Sequence, residues 1–135
     1  MNTRVIISSV LFFLSFPPFN FWYLIFPSLF FFYSGILLSS KPFLSGLVFG
    51  AISFGVILFG IQSIGYEAWI PLSILMGLLY GFYGKLFKFI AVKTNNNFFI
   101  LIGIISTFDL LRAYFPFGGF PWGSTSTVLI SGYRD

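Results

Sequence analysis

The sequence contains no cysteine and no histidine, and it carries only 7 Lys+Arg and 3 Asp+Glu in 135 residues. Without cysteine there is no disulfide, thiolate nucleophile or thiolate metal ligand, and without histidine the commonest general base is missing. A soluble domain carries about 25% charged residues, against 7% here. The basic residues are scattered singly rather than in a stripe, so nucleic-acid binding is not predicted, and neither is a metal or cofactor.

The sequence is predominantly apolar: 58% of the residues are hydrophobic, 24% are aromatic and the mean hydropathy is +0.99. A transmembrane helix needs about 20 such residues. The composition therefore predicts an all-α, polytopic transmembrane helix bundle of about five spans, in which the first two form a short hairpin around residues 17–20. The apolar stretch that follows Arg4 shows no cleavage site, so a cleaved signal peptide is not predicted. The predicted spans cover residues 5–16, 21–39, 42–64, 68–92 and 98–115.

The distribution of positive charge gives an orientation for these spans. With five crossings, one side collects most of the basic residues, and the positive-inside rule then places the N-terminus in the cytoplasm. A second prediction concerns the aromatic residues near the other side, which resemble an interfacial belt. The basic residues are Arg4, Lys41, Lys85, Lys88 and Lys93, and the belt residues are Trp22, Tyr23, Tyr66, Trp69 and Trp122.

Small residues recur at helical spacing on two spans. One stripe contains Gly46, Gly50 and Ser53, and the other contains Gly77, Gly81 and Gly84. Small side chains allow helix backbones to approach closely. The stripes predict helix packing inside one bundle, with a homodimer interface as the alternative.

The most informative segment is residues 108–122, where an acid and a base are followed by a loop. Asp109 and Arg112 are three residues apart and can pair on a helix. Two interpretations stay open: a stabilising internal ion pair, or an arginine that binds a lipid phosphate through its forked guanidinium. The glycines and prolines that follow predict a non-helical loop containing Gly118, Gly119, Phe120, Pro121 and Trp122.

These motifs resemble the membrane domain of apolipoprotein N-acyltransferase. The specific part is the Asp109–Arg112 motif followed by Gly-Phe-Pro-Trp at residues 119–122. Residues 14–22, with their Phe-Pro-Pro, resemble the first hairpin of that family, and residues 41–55 resemble its third helix. We therefore assign residues 1–122 to an N-terminal membrane domain and residues 123–135 to an atypical tail, which we expect to mark a truncated or split chain.

The resemblance implies a function in the bacterial inner membrane. The family transfers a fatty acyl chain from a phospholipid to the N-terminal diacylglyceryl-cysteine of lipoproteins, through a catalytic cysteine in a nitrilase-like domain. This sequence has no cysteine, so we expect no catalysis from it alone and a separately encoded nitrilase-like half as its partner. The expected lipid or substrate contacts are Arg112, Asp109, Phe120 and Trp122, in a loop shaped by Gly118, Gly119 and Pro121; no residue is expected to be catalytic.

Two other functions remain open at this point. One is a small multi-span transport or accessory subunit, although the sequence offers few polar groups to line a path. The other is the membrane anchor of a polyprenol-phosphate glycosyltransferase, which would use the same headgroup-binding chemistry. Flux across liposomes would identify the first, and a neighbouring glycosyltransferase gene would identify the second.

Overall fold

A computed structural model describes residues 3–59, 66–115 and 124–134 of the chain. Within these ranges the protein is helical and contains no strand, which confirms the predicted all-α class. The six α-helices are α1 (Thr3–Leu14), α2 (Ile25–Leu38), α3 (Pro42–Ile57), α4 (Tyr66–Lys93), α5 (Phe98–Tyr114) and α6 (Thr125–Arg134), with one 3₁₀ turn at Trp22–Leu24.

The predicted N-terminal hairpin is present as α1 and α2. The turn between them contains a cis Pro17–Pro18 peptide bond. Two buried serines join the helices: the Ser8 hydroxyl donates to the Ser28 carbonyl at 2.8 Å, and the Ser28 hydroxyl donates to the Ser8 carbonyl at 2.9 Å. Helix α2 begins at Ile25, later than the predicted residue 21. Pro27 therefore lies in the first turn, where its missing N–H disrupts no helical hydrogen bond, and not inside the limb.

Helices α3 and α4 pack together along the two glycine stripes. A methyl group on Gly46 would overlap the Tyr80 carbonyl, and one on Gly50 would lie 2.7 Å from the Met76 carbonyl oxygen. A methyl group on Gly84 would likewise lie 2.9 Å from a backbone oxygen of α3. The prediction that the stripes serve packing inside one bundle is confirmed, because these glycines face backbone of the same chain.

The centre of the bundle is an aromatic cluster to which α1 to α5 all contribute. The Phe32 and Phe49 rings lie 4.2 Å apart between centroids, and Tyr83 stacks on Phe108 at 3.9 Å. Phe12 of α1 adds an edge contact to Phe49 at 5.2 Å. Such ring pairs contribute about 0.5–1.5 kcal/mol beyond their area burial. The abundant phenylalanines therefore supply packing as well as an apolar exterior.

One described helix is long and apolar enough to cross a bilayer, namely Glu67–Lys93 within α4. Three shorter segments, Thr3–Leu14, Trp22–Leu38 and Pro42–Ile57, are apolar but have 10–17 residues, and α5 has 17. The five crossings thus stay a prediction. The described part of α3 ends at Ile57, before the predicted residue 64, and residues 60–65 lie outside the described ranges.

The two ends of the bundle differ in chemistry. At one end, which we call the lysine end, Arg4 in the first turn of α1 lies close to Gly35 of α2, and Lys88 of α4 donates to the Ser39 carbonyl after α2. Lys41 precedes α3 at the same end. At the opposite end, the tryptophan end, Trp69 donates to the Gly55 carbonyl at 2.9 Å and Trp22 lies against α6.

The final two helices attach less extensively than the first four. Asn97 caps α5, accepting from the amides of Phe99 and Ile100, so the connection between α4 and α5 also supplies the N-cap of α5. Helix α6 falls in the segment interpreted as an atypical tail, and its existence was not predicted. Its Ser124 hydroxyl accepts from the Thr127 amide at 3.3 Å, which is a helix-capping arrangement.

Candidate functional site

The guanidinium of Arg112 is the one described charged group that lies in the protein interior, with the residue only 2% exposed. It approaches the faces of two aromatic rings, at 5.3 Å from the Phe54 centroid and 5.9 Å from the Tyr80 centroid. Its Nη1 donates to the Tyr80 hydroxyl at 3.2 Å. A cation desolvated in this way needs compensating partners. The rings from α3 and α4 therefore hold the last turn of α5 against the bundle.

Asp109 is the acidic partner of this arginine. Its Oδ1 lies 3.8 Å from Arg112 Nη2, and 29% of the Asp109 side chain is exposed. That distance exceeds the 2.7–2.9 Å typical of a direct charge-assisted hydrogen bond, so the ion pair is loose. The other carboxylate oxygen, Oδ2, accepts from the Thr125 hydroxyl at 2.6 Å. Asp109 thus links the arginine to the first residue of α6.

We call this set of Phe54, Tyr80, Asp109, Arg112 and Thr125 the arginine cluster. Sequence reasoning identified its acid and base but missed the other three members. Tyr80 and Phe54 were missed because aromatic residues are abundant throughout the chain and no local spacing marks these two. Thr125 was missed because the segment containing it was not predicted to fold back.

A small cavity of about 20 Å³ lies between the arginine cluster and the aromatic centre. It is lined by Asp109 and Thr125, by Tyr80, and by Tyr33 and Tyr83, whose hydroxyls lie 2.9 Å apart. A polar cavity of at least about 10–15 Å³ can hold one water molecule. The rest of the cavity lining is apolar and consists of Phe12, Leu29, Phe32, Phe49, Ile105 and Phe108.

An apolar groove of about 600 Å³ lies at the tryptophan end. Its walls come from the Pro17–Pro18 turn, from Ala51 and Gly55 of α3, and from Trp69 of α4. Gly55 is the neighbour in sequence of Phe54, whose ring faces the arginine. The groove and the arginine cluster both use α3, through Gly55 and Phe54, and no residue belongs to both.

The remaining expected site residues lie outside the described ranges. These are Gly118, Gly119, Phe120, Pro121 and Trp122, in the segment between α5 and α6. The described helices fix where that segment starts and finishes, at Phe115 and Ser124. Among the described residues, no group of histidine, cysteine, aspartate and glutamate has the composition of a metal site.

Comparison with known proteins gives one family. The model of the apolipoprotein N-acyltransferase N-terminal domain matches residues 8–133. No curated protein matches the chain, and no solved structure matches it. The matched region covers α2 to α5 completely. It also covers α1 from residue 8 onward and all of α6 but its last residue.

Proposed function

The chain belongs to the apolipoprotein N-acyltransferase N-terminal domain family, and on that basis we propose that it forms the membrane part of an enzyme that N-acylates lipoproteins. The reaction transfers a fatty acyl chain from a phospholipid to the N-terminal diacylglyceryl-cysteine of a lipoprotein. The observation that carries the proposal is the family match over residues 8–133.

In this proposal the catalytic steps belong to a nitrilase-like domain outside residues 1–135. Nucleophilic catalysis requires an activated nucleophile, and the sequence has no cysteine to form an acyl-thioester. The role of this chain is to bind the lipid donor and to hold it beneath that domain. We propose five spans in the bacterial inner membrane, with the N-terminus in the cytoplasm and the tryptophan end at the outer leaflet, where the lipoprotein substrate would meet the donor lipid.

The proposed lipid contacts are Arg112, Asp109, Phe120 and Trp122. The Arg112 side chain is 1% exposed and that of Asp109 is 29% exposed, so in this proposal a lipid phosphate reaches the guanidinium only after its contact with Asp109 opens. In the same proposal an acyl chain of the donor occupies the apolar groove beside Trp69. Phe120 and Trp122, with the loop residues Gly118, Gly119 and Pro121, enter the proposal from the sequence alone.

The experiment measures N-acylation of a lipoprotein in membranes that contain this chain together with a nitrilase-like catalytic domain. We expect activity only when both are present. Arg112→Gln is expected to lower the acylation rate about tenfold or more, since a hydrogen bond to a charged group contributes about 1.5–3 kcal/mol. Arg112→Lys should restore part of it, because lysine keeps the charge but not the fork.

Lys93→Gln serves as the matched control, because it removes an exposed cation at the lysine end, and its rate should stay unchanged. Acylation by the isolated chain would contradict the proposal that the catalytic steps belong to a separate nitrilase-like domain. An Arg112→Gln variant as active as the control would show that this arginine does not take part in lipid binding.

A further inference from the structure

A second pocket lies at the lysine end, away from the arginine cluster. Its volume is about 430 Å³ and it sits where the start of α1, the end of α2 and the start of α3 meet. One wall is polar and comes from the α2–α3 connection, with Ser39, Ser40 and Lys41, and from Ser45 in the first turn of α3. The rest of the lining is aliphatic and includes Val5 and Val48.

The polar wall is held in place by a hydrogen-bond network. The Ser39 hydroxyl oxygen accepts from the Lys41 amide at 3.1 Å and from the Ser45 hydroxyl at 2.8 Å. With two hydrogen bonds accepted, its own O–H is oriented as a donor. Lys88 Nζ donates to the Ser39 carbonyl at 2.5 Å, which brings a second ammonium group to the same connection.

The electrostatics of this end favour an anion. Lys41 and Lys88 have no carboxylate partner among the described residues, and the described acids, Glu67 and Asp109, lie toward the tryptophan end. Helix α3 begins at this pocket with no side-chain cap on its first amides. The positive end of the helix dipole adds to the field of the lysines.

The half-aliphatic lining determines which kind of anion fits. A free anion such as phosphate gains nothing from Leu38, Leu44 and Val48, whereas the glycerol backbone and first acyl carbons of a lipid bury against them. Lys41 lies at the rim, where an ammonium group meets a lipid phosphate. We propose that this pocket binds the phosphate of an anionic phospholipid, with Lys41 and the Ser39 hydroxyl as the main contacts.

This lipid site is separate from the proposed acyl-donor site, although it rests on the proposed location of the chain in a membrane. It lies at the other end of the bundle and involves none of the residues of the arginine cluster. Its occupant is therefore a bound structural lipid and not the donor of the acyl reaction.

The test is to purify the full chain in zwitterionic nanodiscs that contain a small fraction of fluorescent phosphatidylglycerol, and to measure retention of the probe. Lys41→Gln is expected to weaken binding about tenfold, because one charge-assisted contact is lost. Lys41→Arg should keep the binding of the unsubstituted chain, since arginine also donates to phosphate. Lys93→Gln, an exposed lysine of the same end that does not line the pocket, is expected to change binding by less than about twofold.

Two outcomes would overturn the proposal. Equal losses for Lys41→Gln and Lys93→Gln would mean that general surface charge attracts the probe. Full displacement of the probe by millimolar inorganic phosphate would mean that the pocket takes a free anion and not a lipid. Retention of phosphatidylglycerol over phosphatidylcholine that disappears with Lys41→Gln alone is the supporting result.

Discussion

At the scale of the residue, Arg112 explains how this bundle tolerates a charge in its interior. The guanidinium lies over two aromatic rings, donates to the Tyr80 hydroxyl and has Asp109 as its counter-ion. Removing one partner of a buried ion pair costs about 3–5 kcal/mol, because an uncompensated charge remains. Here the pair is loose and its acid is partly exposed, so a smaller cost is expected.

The Asp109→Asn variant tests this energetic role. It keeps the size of the side chain but leaves the Arg112 cation without its counter-ion, and we expect the free energy of unfolding to fall by about 1–3 kcal/mol. The measurement is denaturant or thermal unfolding in detergent micelles. Glu67→Gln, an exposed acid at the start of α4, is the control and should change stability by less than about 0.5 kcal/mol. Equal stability of the two variants would mean that the rings alone accommodate the arginine.

At the scale of the element, the pairing of α3 with α4 is the most extensive helix contact of the fold. Apolar side chains gain little by leaving lipid for protein, so helix association in a membrane relies on close packing. Gly46 and Gly50 permit that approach because they have no Cβ to meet the carbonyls of α4.

Gly46→Ala is therefore expected to force the two helices apart. Its methyl group would overlap the Tyr80 carbonyl, and overpacking of this kind costs about 1–3 kcal/mol. Gly55→Ala on the same helix is the matched control, since a methyl group there meets nothing within 4 Å, and alanine has the higher helix propensity. Thermal unfolding of both variants separates the two cases, and a Gly46→Ala protein as stable as Gly55→Ala would refute the packing argument.

At the scale of the whole molecule, the bundle has a cationic end and a tryptophan end. Under the proposed five-span topology, the lysine end lies in the cytoplasm by the positive-inside rule, and the end of α5 lies on the opposite side. The described helices run in alternating directions along the bundle, so that Arg4, Lys41 and Lys88 all lie at the same end.

Single-cysteine labelling in intact cells tests this orientation. The natural sequence has no cysteine, so an impermeant maleimide reports only an introduced one. Tyr114 is 74% exposed, and Tyr114→Cys should react from outside, whereas Lys93→Cys should react only after the membrane is opened. The unsubstituted chain is the blank. Labelling of both positions from the same face would overturn the five-span topology and the outer location of the arginine cluster.

Much of the helical layout was predictable, because charges and prolines interrupt the apolar runs at the places where helices end. The glycine stripes on α3 and α4 were also informative, since their spacing of three and four residues matches the helical period. Helix α6 was not predictable in this way. Its residues are small and weakly apolar, and it is held by Thr125 donating to Asp109 and by Gly132 packing against Trp22.

The sequence by itself determined the helical class, the hairpin, the clustering of positive charge at one end and the use of the glycine stripes for helix packing, because these depend on local periodicity and on the cost of charge in lipid. Only the tertiary structure decided where Arg112 points and what surrounds it. Its partners Phe54 and Tyr80 come from other helices, and distant contacts of that kind leave no periodic signal along the chain. The serine-lined pocket at the lysine end could not be predicted for the same reason, because its walls come from three different helices.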